Sequence, residues 1–204
     1  MASSPTDCSH ERCGLCNLSF MSDEQSSRRR VRVDGDTRPK TPDPAPSEPL
    51  CECPHLDAED WHEVESDWSD IQFIRGSLPA VAGVPVGYQS IRGKLRKRAE
   101  AAGVVIPEDA MLLLGEGRLR RPVLLEVETD GAHPGIEMPG GFAWTRLLPA
   151  HFGAMKGLMR ETKEQAKEKY GREPDEMWVW YLTCSECSEP REWETLFVAH
   201  YRPD

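Results

Sequence analysis

The residues of this chain that are best suited to chemistry are cysteines with the spacing of metal ligands. Cys184 and Cys187 form a C-x-x-C pair, and Cys13 and Cys16 form a second pair that follows His10 by three residues. Tetrahedral zinc prefers thiolate and imidazole ligands, and a C-x-x-C pair closes a small chelate ring. The spacing indicates a zinc site that uses both pairs, and the alternative is reduced thiols without a metal, as a reducing compartment maintains them.

A thioredoxin-type redox role is disfavoured for the C-terminal pair. A redox C-x-x-C motif opens a helix, whereas Cys184 follows a predicted strand. The remaining cysteines, Cys8, Cys51 and Cys53, lie in the N-terminal segment and at its junction with the predicted domain.

A predicted strand carries two carboxylates on one face. In the sequence RPVLLEVE, alternate residues from Val123 to Val127 are apolar on one side, and Glu126 and Glu128 lie on the other side. The apolar face should pack on a helix, so the carboxylates should lie on the opposite face. That face is either the solvated side of an antiparallel sheet or one wall of a cleft that a second sheet closes.

The sequence MWVWYLT predicts a second strand with unusual aromatic content. Trp178 and Trp180 share one face, and Val179 and Tyr181 share the other. Two large aromatic side chains are rarely left on a solvated face, so at least one face should be covered or line a pocket.

An acidic stretch precedes these strands and contains Trp61 and Trp68, which should pack on the domain as a short lead-in helix. Its carboxylates and histidines could in principle hold a metal, but a solvated acidic face is the more ordinary arrangement. The residues concerned are Asp57, Glu59, Asp60, Glu63, His55 and His62.

Composition divides the chain into two parts. Residues 1–54 are rich in Pro, Ser and Arg with little periodic apolar content, which predicts a disordered, cysteine-containing tail, and residues 55–204 form the domain. The net charge of −10 disfavours nucleic-acid binding, because Lys and Arg supply the affinity for phosphates. No apolar run suits a membrane span or a secretory signal, which predicts a soluble, cytoplasmic protein.

The domain contains one supersecondary plan twice, about 67 residues apart. Each copy reads as two strands, a helix and two further strands. Tyr88 aligns with Met155, at the start of each predicted helix, and Ala99 aligns with Ala166. The predicted helices are 90–102, which Gly103 should end as a left-handed cap, and 156–170.

This duplicated pattern, with G-Y-x-x-I or G-x-M-x-x-L at the start of each helix and an aromatic strand after it, resembles the GyrI-like small-molecule-binding superfamily. That superfamily includes effector-binding domains of multidrug-sensing regulators and some small-molecule hydrolases, and its fold is related to that of SOUL haem-binding proteins. The resemblance covers residues 70–201 and implies an α+β fold. Two pseudo-symmetric repeats would form an antiparallel sheet, with the helices on one face and a ligand cleft between the halves.

The resemblance also implies which residues line the cleft. It would accept a hydrophobic or cationic small molecule, since an aromatic face attracts a cation and a buried carboxylate pairs with it. The ligand-binding residues carried over are Glu126, Glu128, Trp178, Trp180, Tyr181, Tyr88 and Trp144.

Two functions follow from the resemblance. The first is a stand-alone binding protein, because no DNA-binding segment is recognised before the domain. The second is a hydrolase of a small reactive molecule, with Glu126 as general base and Tyr181 or Tyr88 as hydrogen-bond donor. A haem-binding role is disfavoured because no histidine has a recognisable ligand setting.

Overall fold

The computed structural model describes residues 51, 53–81, 83–131 and 133–203. The prediction of a disordered tail falls on residues that lie almost entirely outside this part. In the first half the elements are α1 (Ala58–Trp61), β1 (Val64–Asp67), β2 (Gln72–Val81), β3 (Val84–Pro85), α2 (Tyr88–Ala102), β4 (Leu112–Gly115) and β5 (Arg120–Val127). In the second half they are β6 (Ile136–Glu137), β7 (Phe142–Pro149), α3 (Met155–Tyr170), β8 (Glu176–Tyr181) and β9 (Glu194–Tyr201).

The predicted α+β class is confirmed. Within the described ranges the chain forms three helices and one nine-stranded sheet in the order β1-β7-β9-β8-β4-β5-β2-β3, with β6 also pairing to β2. Every ladder is antiparallel. The hairpin β4–β5 and the aromatic strand β8 lie where the sequence predicts them.

The first half of the domain differs from the prediction in one respect. The sequence predicts two strands before α2, the first over residues 71–74 and the second beginning at Leu78. The structure instead has one continuous strand, β2, which pairs with β5 from Gln72 to Pro79, and β3 is only two residues long. The strand continues through Pro79, which pairs with Arg120 as the last pair of that ladder.

The two long helices cover the same face of the sheet. A Cβ on Gly76 of β2 would lie 2.8 Å from Leu95 of α2, so this side of β2 faces that helix. Residues that pair directly across neighbouring strands lie on the same side of a sheet. Such pairs connect Gly76 through β5 and β4 to Val179 of β8, and Val179 through β9 to Arg146 of β7. The Arg146 guanidinium contacts Glu161 and Thr162 of α3, so α3 lies on this face too.

The opposite face is covered by the N-terminal part of the domain. Trp61 makes an edge contact with Trp180 at 6.2 Å between ring centroids, and Trp68 stacks on His200 at 4.9 Å. Trp68 also contacts Phe73, whose strand partner is Glu126. The carboxylate-bearing face of β5 is therefore closed by a short segment of chain rather than by a second sheet.

Both long helices end as the sequence predicts. Gly103 and Gly171 have φ values of 69° and occupy left-handed caps that a side chain would strain. In the described part of the chain no helix is both long and apolar enough to cross a membrane.

The join between the two halves of the sheet has little room for a side chain at Gly115. A Cβ there would lie 2.7 Å from Pro122 Cγ and 2.8 Å from Trp178 Cζ3. We expect Gly115→Ala to lower the free energy of unfolding by about 1–3 kcal/mol, because these packed rings must move. Urea denaturation with an unchanged m-value measures this.

Gly93→Ala is the matched control, since nothing lies within 4 Å of a Cβ at this exposed position in α2. Its free energy of unfolding should rise by up to about 1 kcal/mol, because alanine is the better helix former. Equal effects of the two substitutions would contradict the proposed crowding at the join.

Candidate functional site

A cleft opens where strands β4 and β8 separate. Their ladder has only two paired positions, Leu114 with Val179 and Gly115 with Trp178. If it continued, Leu112 would lie opposite Tyr181, but these residues are not paired. Both instead line a cavity of about 350 Å³.

Tyr88, the first residue of α2, fills part of this gap. Its hydroxyl donates a hydrogen bond to the carbonyl oxygen of Leu112 at 3.4 Å, and its ring meets the ring of Tyr181 edge-on at 5.2 Å. Burial raises the pKa of Tyr88 well above its usual value, and a hydrogen bond from the backbone N–H of Tyr181 opposes this only in part. The phenol is therefore neutral at physiological pH and can act as a hydrogen-bond donor.

The cavity is mainly apolar and aromatic, with a few hydroxyl groups in its lining. Arg92 is the charged side chain among the described residues that line it, and none of these lining residues is a carboxylate or a histidine. The side chains that give the cavity its apolar character are Leu112, Ala150, Phe152, Met155, Trp180 and Trp193.

Two larger depressions adjoin this cavity. One of about 1250 Å³ shares Arg92 and Trp180 with it and includes the acidic residues Asp57, Asp60 and Glu108. Another of about 1080 Å³ shares Phe152, Met155 and Tyr181 with it and runs along α3. The cleft thus has an acidic side and a side that combines apolar residues with basic ones, the latter being Arg118, Arg121, Lys156, Arg160 and Lys163.

Four cysteines meet at the rim of the cleft. The sulfur atoms of Cys51, Cys53, Cys184 and Cys187 all lie within 4.8 Å of one another. Cys53 and Cys184 also line the cleft, and Cys187 is buried. Cys13 and Cys16, the partners that the sequence analysis assigns to Cys184 and Cys187, lie outside the described residues.

The surroundings of these thiols shift their pKa values in opposite directions. Hydrogen bonds from the backbone N–H groups of Glu186 and Cys187 lower the pKa of Cys184 to about 7, because they stabilise the thiolate. Burial, followed by hydrogen bonds with the neighbouring thiols, raises the pKa of Cys53 to about 12. The cluster therefore contains one thiol that ionises easily beside another that resists ionisation.

The cleft brings together only part of the ligand set that the resemblance implies. Tyr88, Trp180 and Tyr181 line it, whereas Glu126 and Glu128 do not. Glu126 is buried, and its Oε2 accepts a hydrogen bond from the backbone N–H of Met111 at 3.0 Å. Glu128 pairs through its backbone with Val105.

The other two aromatic residues of that set also lie away from the cavity. Trp178 is fully buried on the sheet face opposite the helices, with the guanidinium of Arg75 5.9 Å from its ring centroid. Trp144 is buried on the helix side of β7, with Lys169 Nζ 5.6 Å from its ring centroid. Both tryptophans belong to the core.

The acidic stretch before β1 has structural roles. Asp57 caps α1 by accepting a hydrogen bond from the N–H of Glu59, and His62 Nδ1 lies 2.8 Å from the carbonyl oxygen of Leu147. Among the described residues, these carboxylates and histidines do not converge into a group of potential metal ligands. The reading of this stretch as an ordinary solvated acidic face fits the structure.

Sequence reasoning missed several residues of the site. Cys51 and Cys53 have a C-x-C spacing directly before the predicted domain, a signal that could have favoured them over the more distant Cys13 and Cys16. Arg92 is an exposed residue on the polar side of α2, and only the packing of α2 beside the gap shows that it also lines the cleft.

Comparison with protein-family models finds a match over most of the chain. A family model described as bacterial hydrolase matches residues 43–197, which include both strands of the cleft and all four clustered cysteines. Searches of curated proteins and of solved structures found no significant match.

The environment of Tyr88 predicts a specific dependence of stability on alkaline pH. A raised pKa in the folded state stabilises the protein fully below the ordinary value of 10, and this contribution is lost as the pH rises toward the folded-state value. The free energy of unfolding of Tyr88→Phe should therefore fall less steeply above pH 10 than that of the wild type. Urea denaturation at several alkaline pH values measures both slopes, and equal slopes would contradict the buried, neutral phenol.

Proposed function

Because the chain belongs to the bacterial hydrolase family, we propose that it hydrolyses a small molecule held in the cleft between β4 and β8. The observation that carries this proposal is the position of the cleft. It opens where two central strands of the matched region stop pairing, and it is bordered by tyrosines from α2 and β8.

The size and lining of the cavity support a small organic substrate with an apolar body. A volume of about 350 Å³ lies at the lower end of the usual range for small-molecule sites. Leu112, Phe152 and Met155 would contact the apolar part, and Trp180 offers an aromatic wall. Arg92 favours a neutral or anionic substrate, while a cationic group would find its carboxylate partners in the adjoining acidic depression.

In this proposal the tyrosines polarise the bond that is cleaved. Water would attack the electrophilic carbon, the bond to the leaving group would break, and the proton from water would pass to the leaving group. Tyr181 would donate a hydrogen bond to the oxygen on which negative charge develops, as oxyanion-hole donors do, and Tyr88 would do so when its hydroxyl leaves the carbonyl oxygen of Leu112. Glu126 would act indirectly, because its carboxylate accepts a hydrogen bond from the backbone N–H of Met111 and so positions the start of β4.

The strand order supports the GyrI-like resemblance, which we retain as part of the proposal. On one side of the join the strands are β7-β9-β8, and on the other side they are β4-β5-β2. In each half a long strand that precedes the helix lies outermost, the last strand lies next to it, and the strand directly after the helix lies at the join. Tyr88 and Met155, which align in sequence, are each the first residue of a long helix. This arrangement is what a duplicated unit with a cleft between its copies would give.

Binding without turnover is the second candidate function. The observation that favours it is the lining of the cavity, in which the described residues include no carboxylate or histidine to accept a proton. Both candidates use the same cleft. We also retain a cytoplasmic location as part of the proposal, since a reducing compartment maintains free thiols such as those of Cys184 and Cys187.

The test of hydrolysis is a panel of esters, thioesters, lactones and amides with neutral, anionic and cationic apolar groups. For a substrate that is turned over, Tyr181→Phe should reduce kcat about 100-fold, the usual effect of losing one donor to a developing oxyanion, with little change in KM. Steady-state kinetics on purified protein measures both constants.

Tyr170→Phe is the matched control, because the Tyr170 hydroxyl lies outside the cleft and donates to Glu65 at 2.7 Å. Its kcat should equal that of the wild type. Equal loss in both variants would remove the cleft tyrosine from the mechanism. A panel member that quenches Trp180 fluorescence without turnover would select binding, and the absence of both effects across the panel would overturn both functions.

A further inference from the structure

We propose that Cys51, Cys53, Cys184 and Cys187 bind one structural Zn²⁺ ion, which fastens the start of the domain to the connection between β8 and β9. This ligand set differs from the one that the sequence suggests. It is independent of the proposed hydrolysis, because it rests on the cysteine cluster alone.

The separation of the sulfur atoms fits a tetrahedral metal centre. Zinc–sulfur bonds of about 2.3 Å place two ligands of a tetrahedron about 3.8 Å apart. The sulfur atoms of Cys184 and Cys187 are 3.8 Å apart, and all four lie within 4.8 Å. A disulfide would need about 2.05 Å between two sulfur atoms, and it would not explain why the other two sulfur atoms also lie close by.

Backbone and side-chain donors are placed to stabilise thiolates at these positions. Cys187 Sγ accepts from the N–H of Cys184 at 3.3 Å and has Arg191 Nη1 at 4.0 Å. Four thiolates around Zn²⁺ carry a net charge of −2, which these donors and the guanidinium partly offset.

The ligand type identifies the metal class and its role. Four thiolates select zinc over the harder cations that prefer oxygen ligands. Four protein ligands fill a tetrahedral site and leave no open position for water, so the ion is structural rather than catalytic.

The site would hold together two segments that are far apart in sequence. Arg191 Nη2 donates to the carbonyl oxygen of Pro54 at 2.7 Å and Arg191 Nη1 to that of Leu182 at 3.2 Å, which brings the same two segments together beside the cysteines. The N-terminal segment then leads to Trp61, which packs on Trp180. Because Cys53 and Cys184 line the cleft, the ion would also fix one wall of it.

The test is metal analysis of the full chain, purified from cells grown with zinc and without chelators. We expect one zinc per chain in the wild type. X-ray absorption should show four sulfur neighbours at about 2.3 Å, and Co²⁺ exchanged into the site should show the intense visible bands of a tetrahedral thiolate centre.

Two double variants separate the possible ligand sets. Cys51→Ser with Cys53→Ser should lose the zinc, whereas Cys13→Ser with Cys16→Ser should retain one zinc per chain and the four-sulfur spectrum. The wild-type spectra do not depend on whether a variant folds. The proposal is overturned by a metal-free wild type, by fewer than four sulfur ligands, or by loss of zinc in the Cys13 and Cys16 variant.

Discussion

The structure depends on the short ladder between β4 and β8. Two paired positions join the halves of a nine-stranded sheet, and the glycine at one of them lets the Pro122 and Trp178 rings pack tightly across the join. Beyond these positions the strands separate, and unpaired backbone groups in such a gap must find other partners. The Tyr88 hydroxyl supplies one such partner by donating a hydrogen bond to the carbonyl oxygen of Leu112, and the Tyr88 ring packs edge-on against Tyr181 of the other strand. The same separation that costs strand pairing therefore creates the candidate site.

The two faces of the sheet have different tasks. Helices α2 and α3 cover one face, and the first residues of each line the cleft. The segment that carries Trp61 and Trp68 covers the other face and makes it part of the core. Glu126 is buried beneath that cover and hydrogen bonded to Met111, so its position supports the strand beside the cleft. Such a buried carboxylate needs the backbone donor, because burial removes its hydration and an unpaired buried acceptor is costly.

The cysteine cluster and the cleft have complementary properties. The cluster can fill all four coordination positions of a tetrahedral metal ion with protein ligands, which suits it to holding chain segments together. The cleft keeps an open, mainly apolar volume with neutral hydroxyl donors, which suits it to a small organic molecule. Cys53 and Cys184 belong to both, so the stability of the cluster and the shape of the cleft are linked through shared residues.

Much of the fold is encoded locally and can be predicted from the sequence. Apolar spacing and the caps Gly103 and Gly171 define the two long helices, and alternation defines β5 and β8 together with the side of β5 that faces α2. Alternation cannot say which segment covers the other side, so the burial of Glu126 and Trp178 and the cover supplied by Trp68 were decided by tertiary packing.

Spacing alone likewise favours two C-x-x-C pairs as zinc ligands. Only the three-dimensional approach of residues more than 100 positions apart places Cys51 and Cys53 beside Cys184 and Cys187, because sulfur contacts depend on distance in space and not along the chain.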